Sequence, residues 1–143
     1  MVSLKGDFMR REKIKVIFDT NMLLLSVQKP LDIFSEVGRV LNAAYTPAVL
    51  TATINELNRM LTSGRPKEKI ESKLALELAK KCEIIEYEAS VDNADRAIIE
   101  YARKNRVIVA TNDIELRRRL RKLGIPVIFL RGFDHLELEG EIY

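Results

Sequence analysis

Five short apolar runs, alternating with helical patterns, constrain the fold of this chain more than any other feature. They are Lys15-Val-Ile-Phe18, Ala43-Ala-Tyr-Thr46 (closed by Pro47), Glu83-Ile-Ile-Glu-Tyr87, Arg106-Val-Ile-Val-Ala110 and Pro126-Val-Ile-Phe-Leu130. Runs this short, β-branched and bounded by turn residues read as buried parallel strands. Between them, apolar residues fall three or four apart: Leu31, Phe34, Val37 and Leu41; Leu50, Ile54, Leu57 and Leu61; Ile70, Leu74, Leu78 and Cys82; Ala94, Ala97, Ile98, Tyr101 and Ala102; Leu116, Leu120 and Leu123. Each stripe reads as a helix face packed on the sheet. The order β-α-β-α-α-β-α-β-α-β predicts an α/β, Rossmann-like, three-layer domain with a five-stranded, mostly parallel sheet. A strand order of 3-2-1-4-5 is expected.

At 143 residues and 47% hydrophobic, the chain suits one domain with a real core. The expected domain is 1–143, with its core at about 14–138, a lead-in at 1–13 and a polar tail at 131–143. The break Thr62-Ser-Gly-Arg-Pro66 separates two consecutive helices. No apolar stretch is long enough to span a bilayer or to serve as a signal peptide, so no membrane and a cytoplasmic location are expected. One cysteine, Cys82, and one histidine, His135, leave no disulfide and no Cys/His zinc site. A histidine-dependent hydrolase would rest on His135 alone, in a charged tail.

Ligands of open α/β sheets gather at the carboxyl ends of the strands, where the strand order reverses. Asp19 ends the first strand and Asp113 follows the fourth, so the expected order puts them on one crevice. Glu56 and Asp95 each stand beside an apolar helix stripe, where a carboxylate facing the sheet is costly unless a cation meets it. Each acid has an ordinary reading as well. Asp19 and Asp113 suit helix caps, Asp95 suits a helix dipole (with Asp92 as the competing cap), and Glu56 suits a solvated helix face. Four converging carboxylates without His or Cys favour Mg²⁺ or Mn²⁺, and the natural chemistry of such a site is phosphodiester hydrolysis. Arg117, Arg118, Arg119, Arg121 and Lys122 place five cations in six positions of a chain whose net charge is only +3. That stripe is either a solvated helix face or a contact for the phosphates of a substrate strand.

Four segments together resemble the successive motifs of PIN-domain nucleases: Phe18-Asp-Thr-Asn-Met-Leu-Leu24, Ile54-Asn-Glu-Leu57, Ala94-Asp-Arg-Ala-Ile-Ile99 and Val109-Ala-Thr-Asn-Asp113. The resemblance runs from about Lys15 to Leu138. It implies a PIN-like domain acting as a metal-dependent endoribonuclease on single-stranded RNA, with Asp19, Glu56, Asp95 and Asp113 holding one or two Mg²⁺ or Mn²⁺ ions. Asn21 and Thr111 match supporting polar positions. Two branches compete. Val27-Gln-Lys-Pro-Leu-Asp-Ile-Phe34 and the segment 110–130 are similar to the small-subunit rRNA-processing branch, whose partners are ribosome-assembly factors and an rRNA precursor. The VapC toxins, blocked by an antitoxin peptide, are the other branch. Relatives are often dimers, which points to the apolar surface around 31–41 or 57–74 for a homodimer. Arg96 departs from the pattern, standing where many relatives carry an acid or a small residue; it either approaches the site or faces solvent. The alternative to an enzyme is a catalytically weak PIN module that binds RNA or a ribosome-assembly partner. A phosphoacceptor receiver domain fits less well, because paired acids are missing after the first strand and Arg131 stands where a Lys is wanted.

Overall fold

The computed structural model describes residues 13–90 and 93–142; the lead-in 1–12 and Asp92 lie outside them. The described residues form twelve elements in chain order: β1 (Ile14–Phe18), α1 (Thr20–Gln28), α2 (Ile33–Leu41), β2 (Tyr45–Leu50), α3 (Thr51–Ser63), α4 (Pro66–Ala79), β3 (Glu83–Ile85), α5 (Ala94–Lys104), β4 (Ile108–Ala110), α6 (Ile114–Lys122), β5 (Val127–Arg131) and β6 (His135–Glu139). The sheet order is β3-β2-β1-β4-β5-β6. The first five strands are mutually parallel in the expected 3-2-1-4-5 order, and β6 pairs antiparallel with β5.

β1 shows how the sheet divides the core. Val16 and Phe18 enter one cluster, with Met22, Leu23, Ile33, Val37 and Leu57, while Ile17 enters the other, with Ala97, Ile98, Leu116 and Leu120. Alternation along a strand sends successive side chains to opposite faces. Helices α1, α2 and α4 therefore cover one face and α5 and α6 the other, which makes three layers.

The structure corrects the sequence reading at four places. The sheet has six strands, because His135-Leu-Glu-Leu-Glu139 within the expected polar tail is β6. Its Leu136 is buried, and its outward positions carry the charges that made it look like tail. α1 is an additional helix. Met22 to Leu25 are four consecutive buried residues, a run that wraps the helix and so lacks the three-to-four spacing of an amphipathic stripe. β2 runs through Pro47 to Leu50 rather than stopping before it. β3 pairs only with Ala48 onward, so Pro47 sits where β2 has β1 as its one neighbour, a place where a missing N–H is tolerated. Finally, the stripe that begins on α4 faces outward only in its first half, while Leu78 packs against the core and Cys82 is buried in it. Ile70 and Leu74 are exposed, whereas Ser72, Ala75 and Ala79 are buried against the neighbouring helices. Of the two surfaces expected to serve a dimer, Ile33 and Val37 are in the core, and Ile70 and Leu74 are at the surface.

β1 crosses to β2 on one side and the chain returns to β4 on the other, so the carboxyl ends of β1 and β4 form the reversal. α3 begins directly at the end of β2, and α5 leads into β4.

Candidate active site

Asp19 is the first residue beyond β1 and is 3% exposed. It caps α1, with Oδ1 accepting from the Met22 N–H at 2.7 Å. Its Oδ2 accepts from the Thr111 hydroxyl, and its own N–H donates to the Ala110 carbonyl at 3.2 Å. Thr111, fully buried beyond β4, accepts in turn from the Asp113 N–H at 3.0 Å. Asp113 caps α6 through the Leu116 N–H at 3.0 Å. One hydroxyl thus ties the ends of β1 and β4 together and fixes both aspartates.

Glu56 lies one turn into α3, where its Oε1 accepts from the Thr20 hydroxyl at 2.5 Å. Asp95 occupies the first turn of α5, which Asn93 caps by accepting from the Arg96 N–H at 3.0 Å.

The four carboxylates share one electrostatic field. Burial drives the Asp19 pKa up to about 7; its bonds from Thr111 and Met22 only partly offset this, and the charges of Asp95 and Asp113 add to the rise. Asp95 is also raised, first by burial and then by Asp113 and Glu56, against the pull of Arg119. Negative charge in this crevice is therefore undercompensated by the protein.

That deficit and the all-oxygen donor set fit a hard divalent cation. Among the described residues no three acids are already gathered at metal-binding distance. Mg²⁺ is usually held by one or two carboxylates and several waters, and does not require three acids in one cluster.

Asn21 is exposed and makes no side-chain hydrogen bond among the described residues, whereas its neighbour Thr20 is buried and holds Glu56. Sequence reasoning passed over Thr20; the signal available was a hydroxyl between a capping Asp and the helix it starts. Arg96 is exposed.

The basic stripe divides. The Arg117 guanidinium lies 3.5 Å over the Phe129 ring and bonds Glu139 of β6 at 2.9 Å. Arg118 pairs with Glu115 at 2.9 Å, and Arg121 donates to the Ile125 carbonyl at 3.0 Å. Arg119 and Lys122 are exposed and have no such partner among the described residues. Arg119 is the cation whose charge reaches Asp95.

Comparison with known proteins shows the family. The family described as a PIN like domain matches residues 16–133. Ribonuclease VapC4 of Methanocaldococcus jannaschii is 36% identical over 131 residues, which cover 90% of this chain and 98% of that protein. The rRNA-processing protein FCF1 of Saccharomyces cerevisiae is 31% identical over 124 residues, covering 85% of this chain and 62% of FCF1. The solved structure of the PIN domain endonuclease Utp24 superposes with a TM-score of 0.75 at 27% identity, over 90% of this chain and 92% of Utp24. The matched region carries all four acids, the strand order and the reversal between β1 and β4, and the chain belongs to the PIN-like domain family, with both VapC ribonucleases and rRNA-processing proteins among its relatives.

Proposed function

We propose that this protein is a metal-dependent endoribonuclease that hydrolyses phosphodiester bonds of single-stranded RNA, with Asp19, Glu56, Asp95 and Asp113 holding Mg²⁺ or Mn²⁺. The observation that supports the reading is electrostatic coupling among four acids from four separate segments, two of them with pKa values pushed up by burial and by their neighbours. The relatives bearing the names ribonuclease and endonuclease support the same chemistry.

When bound, the ion supplies charge neutralisation and polarisation at the phosphate oxygens. The protein's own groups do the rest. Thr111 holds Asp19 and Asp113 in register across two strand ends, and Thr20 holds Glu56 from the first turn of α1. Asn21, exposed at the mouth, is placed to meet substrate. Arg119 and Lys122 take phosphates of the strand, while Arg117, Arg118 and Arg121 shape the flank of α6 along which it lies. Among the described residues no helix is long and apolar enough to cross a membrane, and a cytoplasmic site of action belongs to this reading.

The biological setting is rRNA processing with a ribosome-assembly partner, or a VapC-like toxin with an antitoxin peptide. Growth arrest on expression without a partner, relieved by Asp19→Asn, selects the second.

The central test is incubation of a labelled single-stranded RNA with the protein, with and without Mn²⁺, beside Asp19→Asn. Cleavage that requires both the metal and Asp19 is expected. Cleavage that persists undiminished in the variant overturns the site. RNA binding without cleavage by the native protein moves the assignment to a binding module.

A further inference from the structure

A cavity of about 440 Å³ opens between the starts of α3 and α5, lined by Thr51, Asn55, Tyr87, Glu88 and Asn93 with two alanines. We propose that it is a nucleobase subsite, receiving a base of the RNA strand next to the cleaved bond and giving the enzyme a base preference. The proposal rests on the nuclease reading above and deepens it.

Location is the first argument. Asn55 precedes Glu56 on α3, and Asn93 stands two residues before Asp95 at the start of α5. The cavity therefore shares its walls with the two helix starts that carry half of the acids. A strand with a phosphate at the acids sends its neighbouring base toward this opening.

Chemistry is the second. The groove along α6, lined by Arg117, Arg118, Arg121, Lys122, Ile114 and Glu139, is cationic and suits phosphate. Among the described residues, the cavity beside α3 has no cation in its lining and carries the Glu88 carboxylate, which repels phosphate. It offers amides in place of cations. The Asn93 Oδ1 is committed to the Arg96 N–H, which leaves its Nδ2 to donate outward. The Asn55 amide makes no hydrogen bond among the described residues and is exposed. Neutral donors and acceptors beside an aromatic wall are how single-stranded bases are read, and the volume lies within the roughly 300–1,000 Å³ of small-ligand sites.

Rigidity is the third. Tyr87 is held on several sides. Its ring meets Tyr101 edge-on with centroids 5.5 Å apart, and its hydroxyl bonds Glu100 at 3.2 Å and Lys104 at 3.1 Å. Its backbone N–H and carbonyl both meet the Thr51 hydroxyl, at 3.4 and 3.5 Å. A wall already fixed loses little freedom when a base packs on it. Among the four bases, guanine presents two adjacent donors, N1–H and N2–H₂, which one carboxylate such as Glu88 accepts together.

The test begins with metal-free protein, so that it does not depend on cleavage. The side-chain amide resonances of Asn55 and Asn93 are followed by NMR on adding each of the four ribonucleoside 5′-monophosphates and, separately, inorganic phosphate. Guanosine monophosphate is expected to move them most and inorganic phosphate not at all, with Glu88→Gln weakening the guanosine response at least fivefold. Equal responses to every nucleotide and to inorganic phosphate, or no response, overturn the subsite. With Mn²⁺ and a mixed-sequence RNA, cleavage is expected beside guanosine, and Asn55→Ala and Glu88→Gln level that preference. A preference unchanged in both variants overturns the proposal. If the native protein cuts no RNA at all, the nuclease reading fails, and the NMR arm still decides the pocket.

Discussion

Asp19 carries two demands that oppose each other: it is buried almost completely, and its proposed task requires it to be charged. Its folded pKa of about 7 stands above its ordinary value of 3.8. A carboxyl raised in this way contributes stability that is fully present below pH 3.8 and is lost as pH rises through 7. In metal-free protein the ionised side chain then costs the fold on the order of 4 kcal/mol above neutrality. Asp19→Asn keeps the oxygen that accepts from Met22 N–H and removes the charge. The variant is expected to melt roughly 5–10 °C higher than the native protein at pH 8, with the gap closing toward pH 4, while cleavage is lost. Mn²⁺ should raise the native melting temperature at pH 8 more than at pH 5.5, where protons compete for the carboxylate, and should leave the variant almost unmoved. Calorimetry across pH checks the sign; a variant less stable at pH 8 would contradict the burial account. Thr111→Val tests the bond that holds this carboxylate. It strips a buried donor from Asp19 and an acceptor from the Asp113 N–H, so a loss of about 1–3 kcal/mol is expected in urea unfolding, and Thr111→Ser should recover most of it.

Elements bury the faces their neighbours leave room for, and the two sides of the sheet do this differently. Leu116, 2% exposed on α6, packs into the cluster with Ile17 and Ala97; Leu116→Ala should cost about 2–5 kcal/mol. Leu74 on α4 is 48% exposed, so Leu74→Ser should stay within roughly 0.5 kcal/mol of the native stability. Parallel denaturation curves separate the two, and equal losses would mean that α4 packs through its large residues. This contrast marks how far periodicity carries. The α5 and α6 stripes are legible because one apolar face meets one sheet face. On α4 the row Ile70-Leu74-Leu78 and the row Glu71-Ala75-Ala79 lie side by side, and the closely packed helices α1 and α3 admit the small residues. α1 buries four consecutive residues in place of a spaced stripe, and β6 spends its outward positions on charge, so neither announces itself in the sequence.

At the scale of the whole molecule, the nearness of Asp19 and Asp113 was legible because a parallel sheet with this strand order brings the ends of β1 and β4 together, whatever the details of packing. The fate of the cations was not, because it depends on β6. Glu139 of that strand claims Arg117, and the loop into β5 claims Arg121 through the Ile125 carbonyl. Five cations close in sequence thus separate, among the described residues, into three with protein partners and two exposed ones without: Arg119, whose charge reaches Asp95, and Lys122, which lines the groove along α6. The separation has a thermodynamic signature. Binding of a single strand weakens with salt by a slope of about 0.7 per phosphate neutralised. Measured with Asp19→Asn, so that the strand stays intact, Arg119→Gln and Lys122→Gln should each lower the slope of log K against log salt by about 0.7 with little change in melting temperature. Arg117→Gln should do the reverse. It loses the Glu139 bond and the face of Phe129, a loss on the order of 1 kcal/mol of stability, and leaves the salt slope nearly unchanged. Should Arg117→Gln flatten the slope as much as Arg119→Gln does, the strand would lie along the β6 side of α6, and the path past the acid crevice would have to be redrawn.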